Sequence, residues 1–205
     1  MKIISAPHPT LRQVANPVTK FDKRLAKFVE RLKKQLLLEK DPEGVGLAAP
    51  QVNKSLQIFI LRQSGANHSE LNQDNPDQSK KNKQDNKLDQ LTAFINPKII
   101  AHSQKKILLK KAEHFEGCLS VPRIYGPVPR WEWVELSYQT LKHNGELENR
   151  KEKYQDFPAR VIQHEYDHLQ GVLFTDHLLE NDLPAYVIEK GEWVELEDRE
   201  ILNSF

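Results

Sequence analysis

The run His164-Glu165-Tyr166-Asp167-His168 constrains this chain more than any other feature. It lies in a stretch, ARVIQHEYDHLQ, that reads as a helix starting near Asp156, with Pro158 in its first turn, and stopping near Gly171. Residues four apart share a helix face, so the two imidazoles project together. Two neutral imidazoles one turn apart chelate a divalent ion. Glu165, beside one of them, is placed to take a proton from a water on that ion and pass it to a leaving nitrogen. This is the H-E-x-x-H pattern of metal hydrolases. A solvated helix with two histidines four apart is the plainer alternative. Val161, Ile162 and Leu169 argue against it: they make the helix apolar around the motif and therefore buried, and buried histidines need partners. Gly171, seven residues after His164, leaves room on the ligand face, although a helix C-cap accounts for it equally well.

A catalytic metal needs a third protein ligand and an open position. One protease arrangement continues H-E-x-x-H-x-x-G-x-x-H, but Phe174 occupies its last position and His177 comes three residues too late. Glu189 and Glu192 fall in an expected surface hairpin and are weak candidates. Glu116-Gly117-Cys118-Leu119-Ser120 is the better source, because it holds the chain's single cysteine. A lone cysteine is most often a small buried hydrophobe. A thiolate with two imidazoles, however, suits a borderline ion such as Zn(II) or Fe(II), and a nearby ion deprotonates the thiol.

The rest of the 205-residue chain frames these segments as one domain. Residues 1–18 read as extended or irregular. A helix is expected over 21–38, where Phe21, Leu25, Phe28, Val29, Leu32 and Leu36 step by three and four, with Asp41-Pro42 ending it. Gly44 to Gln51 reads as a turn, and strands are expected at 55–61, 92–95, 97–102, 105–112 and 131–140. Asn144-Gly145 signals a hairpin to a partner at 146–154. The tail, AYVIEKGEWVEL, reads as two short strands around Lys190-Gly191. Residues 63–90 are polar, with Leu71 and Leu88 as the large apolar residues, and cannot bury enough surface to offset their ordering entropy. They are expected to form a mobile insert within the single domain 1–205. The fold class is α+β, mostly antiparallel strands packed around a central metal-binding helix.

With 30 Lys+Arg against 29 Asp+Glu, a net charge of +1 gives no ground for a nucleic-acid or anionic-membrane partner. No apolar run reaches a membrane span, and Met1–Pro7 lacks the apolar stretch of a signal peptide. A cytoplasmic protein is expected.

Three segments in order resemble the peptide deformylase family: Gly44-Val45-Gly46-Leu47-Ala48-Ala49-Pro50-Gln51, Glu116-Gly117-Cys118-Leu119-Ser120, and Gln163-His164-Glu165-Tyr166-Asp167-His168-Leu169-Gln170-Gly171. Pro7–Arg12 and Val128-Pro129-Arg130 look similar too. The resemblance implies hydrolytic removal of the formyl group from the formyl-methionine of newly made polypeptides. It implies one divalent metal ion on Cys118, His164 and His168, with water as fourth ligand. Fe(II) is the usual ion of the family, and Zn(II), Ni(II) or Co(II) can replace it. Glu165 would be general base and then general acid. Gln51 and the backbone N–H of Leu119 would stabilise the oxyanion, while Val45 and Gly46 would meet the substrate. Glu116 and Arg130 would pair to brace the ligand loop, and Asp167 would orient rather than ligate. Formyl-Met nascent peptides are the implied partners, with ribosome association open. Two departures stand out: the 63–90 insert is long for the family, and the C-terminus reads as a hairpin rather than a helix. The rival readings are another metalloprotease using the same helix, a non-catalytic module keeping the fold, and a small structural metal domain.

Overall fold

The structure, a computed structural model, describes residues 1–40, 43–62, 88, 90–142 and 146–205. The first helix forms as α1, Lys23–Leu38. Asp22 caps it, its carboxylate accepting from the N–H groups of Arg24 and Leu25 at 2.9 and 3.0 Å. Phe21 therefore stays outside the helix. The helix stops at Leu38, before Asp41 and Pro42, which lie outside the described residues.

The segment expected as a turn contains a strand, β1 (Gly46–Ala48), followed by a 3-10 turn at Ala49–Val52. Alternation explains it. Leu47 packs into the cluster under α1 and Ala48 into the cluster on the opposite face, so the segment is buried on both sides. β1 pairs antiparallel with β2 (Ile58–Arg62), which pairs with β3 (Leu91–His102). Two separate strands were expected where β3 runs continuously. Asn96-Pro97 makes a bulge, not a turn: Asn96 takes φ 50°, and the register shifts between Ile95 and Lys98. The Asn96 side chain accepts from Val18 N–H at 2.7 Å and donates to Val18 C=O at 2.8 Å, tying the N-terminal segment to the sheet.

The strand expected at 105–112 shrinks to β4 (Lys106–Ile107). Next come β5 (Glu116–Cys118), β6 (Val121–Gly126), β7 (Arg130–Trp131), β8 (Trp133–Leu141) and β9 (Leu147–Gln155). β8 and β9 pair without a register break from Trp133↔Gln155 to Leu141↔Leu147, as the hairpin signal requires. The turn residues 143–145 themselves lie outside the described residues, as do residues 63–87 and 89 of the polar insert. α2 (Asp156–Leu169) carries the histidine motif. A short helix, α3 (Phe174–Glu180), was not anticipated. The tail forms the expected hairpin, β10 (Tyr186–Glu189) and β11 (Glu192–Glu195), turning through Lys190 and Gly191 at φ 50° and 88°.

Among the described residues the main sheet runs β1-β2-β3-β8-β9, and a second runs β11-β10-β6-β5. The architecture is α+β and mostly antiparallel, as expected. β2 shows how the main sheet is covered. Ile58 and Ile60 face α1 through Leu25, Val29, Leu32 and Leu36; Phe59 and Leu61 face α2 through Ala159, Ile162 and Leu169. A strand buried on both faces has no polar alternation, which is why IFIL reads as a continuous apolar run. α2 is thus fixed along one face of the main sheet. Its other side meets the small sheet that carries Cys118. No helix among the described residues is long and apolar enough to cross a membrane.

Candidate active site

Cys118 closes β5, and its partner in register is Val121, so Leu119 and Ser120 form a two-residue turn between β5 and β6. Ala6 N–H donates to Ser120 C=O at 2.8 Å and pins that turn to the N-terminal segment. Cys118 faces α2. Its Sγ lies 3.2 Å from His168 Nε2, and donor atoms of Cys118, His164 and His168 all fall within 4.8 Å of one another.

Both imidazoles are set by their surroundings. His164 Nδ1 lies 3.1 Å from Glu116 Oε2, leaving Nε2 for the cleft. Glu116 is held in turn by Arg130, whose Nε and Nη2 donate to its two oxygens at 2.9 and 2.8 Å. Arg160, one turn before His164 on α2, adds a contact to Glu116 at 3.2 Å and donates to Val128 C=O at 2.9 Å. Arg130 Nη1 also reaches Asp167 at 2.5 Å, and His177 Nε2 meets the same carboxylate at 2.8 Å. The pair anticipated between Glu116 and Arg130 is therefore the centre of a larger network. Asp167 orients Arg130, and His177 is a brace for Asp167.

Charge follows from this geometry. Burial alone would raise the Glu116 and Asp167 carboxyls, but Arg130 overrides it and holds both below the ordinary range. Burial would likewise raise the Cys118 thiol; the imidazoles of His168 and His164 overcome it and push the thiol well down, toward the thiolate that ligates metals. Burial works against protonated His164, yet the Cys118 sulfur and Glu116 raise it well above its usual value. Glu165 behaves in the opposite way. Burial lifts its carboxyl to about 7, with the two histidines only partly offsetting it. A carboxyl near 7 suits a group that must both take and give a proton.

These residues open into a cleft of about 1080 Å³ whose wall includes Val45, Gly46, Gln51, Cys118, His164 and Glu165. Gln51 is buried and its amide is oriented: Oε1 accepts from Ala48 N–H at 2.8 Å, so Nε2 points at Cys118 Sγ, 3.5 Å away. Gly46 lies against the Glu165 carboxylate, where a Cβ would fall 2.4 Å from Oε1. Phe157, Val161 and Trp131 add apolar wall. Gly171 is not beside the histidines. It takes φ +73° after α2, and a Cβ there would meet the Arg12 backbone at 2.7 Å, so the C-cap reading holds.

The residues present fit a divalent ion. One thiolate and two imidazoles converge, and the buried Glu165 Oε2 meets no hydrogen-bond partner among the described residues. The family model for polypeptide deformylases matches residues 1–183. The chain belongs to the polypeptide deformylase family. It is 37% identical over 182 residues to peptide deformylase 2 of Nostoc sp., covering 88% of this chain and 87% of that one. Against the peptide deformylase of Desulfotalea psychrophila identity is 32% over 193 residues, covering 94% and 96%. The crystal structure of the Thermotoga maritima peptide deformylase is similar at a TM-score of 0.63 and 33% identity, over 86% of this chain and 95% of that one.

As a deformylase, the chain is a metal-dependent hydrolase that removes the N-terminal formyl group from newly made polypeptides. In and behind the deformylase cleft stand groups the motifs did not reveal. Arg160 had a signal, since it stands four residues before His164 and so shares its face. Trp131 and Tyr125 had none, because only the packing of β7 and β6 brings them near; His177 fails the ligand spacing, and the packing of α3 sets it against Asp167 instead.

Proposed function

We propose that Cys118, His164 and His168 hold one divalent ion, Fe(II) in the cell, and that Glu165, Gln51 and Leu119 carry the hydrolysis of formyl-Met peptides. The observation that carries this reading is the convergence of the three donor atoms within 4.8 Å beside a buried carboxylate with an unpartnered oxygen. Held by these three residues, such an ion would supply Lewis acidity toward water and the formyl carbonyl. Glu165 takes the proton of the attacking water and delivers it to the leaving amine nitrogen. Gln51 Nε2, turned inward by the Ala48 bond, donates to the oxygen on which negative charge develops, and the Leu119 N–H in the β5–β6 turn is the second donor. Val45 lines the pocket for the methionine side chain, and Gly46 lets the peptide backbone run close to Glu165. Acyl groups larger than formyl are rejected by size at the reacting carbon, where formyl carries only hydrogen.

In this reading residues 1–205 are a single catalytic domain, the enzyme works in the cytoplasm, and nascent chains meet it at the ribosome. The test is anaerobic purification, metal analysis and a formyl-Met-peptide assay on one sample. One equivalent of metal, with sulfur among its neighbours in X-ray absorption, is expected. Cys118→Ala should abolish stoichiometric binding. Metal bound without sulfur scattering would remove Cys118 from the site, and cleavage of internal peptide bonds without deformylation would favour a protease. Fe(II)-loaded enzyme should lose activity in air as iron or the thiolate oxidises, and zinc-loaded enzyme should be slower but stable. Equal turnover with both ions would argue against the iron assignment.

A further inference from the structure

The cleft extends beyond the reacting groups. At about 1080 Å³ it exceeds the roughly 300–1,000 Å³ of a drug-sized site, so it has room for more of a peptide than formyl-methionine. Its wall on the β5–β6 side is aromatic. Gly117 and Tyr125 are register partners, and a Cβ on Gly117 would fall 2.7 Å from the Tyr125 ring. That ring therefore lies over the Gly117 backbone, one residue from Cys118. Phe115 lines the same cleft.

Both rings are held by the C-terminal hairpin. Trp193 on β11 meets Tyr125 edge-to-face, with centroids 5.2 Å apart at 87°, and Phe115 at 5.5 Å and 81°. Tyr186 on β10 stacks on Phe115 at 4.7 Å. β10 joins β6 through the pair Tyr186↔Tyr125, so the hairpin extends the sheet that carries Cys118. These residues follow the stretch 1–183 that the family model matches. Trp193 is 40% exposed and reaches the cleft only through the two rings it meets.

We propose that the β10–β11 hairpin is a specificity element for the peptide chain after formyl-methionine: Trp193 positions the Tyr125 and Phe115 rings as a wall that takes an apolar or aromatic downstream side chain. The proposal rests on the deformylase reading above. Ring faces and edges favour other rings and apolar groups without demanding a single geometry, so the wall selects a class of side chain. Tyr125 and Phe115 touch the substrate. Trp193 is a positioning residue that acts through them.

The test uses the metal-loaded full chain. Turnover of formyl-Met-Ala and formyl-Met-Ala-Phe is compared for the wild type, Trp193→Ala, Trp193→Phe and Tyr125→Ala, with thermal unfolding as a control. The wild type should show the lower KM for the longer peptide. Trp193→Ala should raise that KM about three- to tenfold, leaving kcat and the formyl-Met-Ala KM unchanged. Trp193→Phe should restore it, and Tyr125→Ala should lose the preference as well. If the alanine variant does not fold, Trp193→Leu carries the test, since it keeps apolar volume and removes the ring. Equal shifts on both peptides, or none on either, overturn the hairpin's role while deformylation stands. Absence of formyl-Met-Ala turnover by the wild type overturns the deformylase reading and this proposal together.

Discussion

A methyl group on Gly46 would sit 2.4 Å from Glu165 Oε1 and 2.8 Å from its Cδ. Gly46→Ala must therefore displace the carboxylate. A displacement near 1 Å costs on the order of 10² in rate, so kcat should fall by about that factor while metal content, measured by elemental analysis, stays at wild type. Gln51→Ala should cost about 10²–10³ in kcat by removing one oxyanion donor, again with metal retained. The role proposed for Gln51 came through the family's motif. Taken alone, a glutamine after Ala-Ala-Pro reads as a turn residue bonded to backbone, and its Oε1 does bond to Ala48. The other half of the amide does the proposed work, and a linear sequence does not display it. Gly171 teaches the reverse. Spacing on the helix placed it near the ligands, but the helix ends at Leu169 and the next residues turn toward Arg12.

At the scale of elements, α2 and the β5–β6 hairpin are joined by the network of Arg130, which is buried while its two carboxylate partners are partly so. Removing the cation strands two carboxylates. Arg130→Met should destabilise the fold by about 3–5 kcal/mol in urea unfolding and weaken metal binding about 10–100-fold in a competition titration. Arg130→Lys should rescue little, since an ammonium lacks the fork that spans Glu116. α2 was legible because its apolar period, cap position and motif agree. β1 was not, because glycine and alanine carry little strand propensity and the segment is extended only through its pairing with β2. β3 was split at Asn96-Pro97 for a related reason. The dipeptide signals a turn locally, and only the Val18 contacts convert it into a bulge. α3 is seven residues long, too short to show a convincing helical period.

The whole molecule holds the site between a sheet covered by helices on both faces and a smaller sheet completed by its own C-terminus. Arg62 and Leu91 are register partners at the two ends of the polar insert, so a short turn can join them. Leu88 packs against the cluster under α1. Replacing residues 66–87 with a Gly/Ser turn should therefore leave folding and turnover nearly intact, because closure cost varies slowly with length; a large loss of turnover would give the insert a role. Alkaline stability depends on the far end of the main sheet, where Tyr138 and Tyr154 share Glu152. Burial pushes the Tyr138 phenol up to about 12 and Tyr154 up as well. The folded chain holds these protons more tightly than the unfolded one. The stability that Tyr138 contributes is full below about pH 10 and is lost as pH rises through about 12. Urea midpoints across that range should fall steeply for the wild type and less for Tyr138→Phe.

The central claim is that the chain's own carboxylate moves the proton beside an ion held by Cys118, His164 and His168. Glu165→Gln tests it most directly, because it keeps size and shape and removes the base. The measurement is kcat for a formyl-Met peptide, with metal content determined on the same anaerobic preparation. Full metal occupancy with kcat lowered on the order of 10²–10⁴ is the expected result. Full occupancy with wild-type kcat would contradict the general-base role of Glu165.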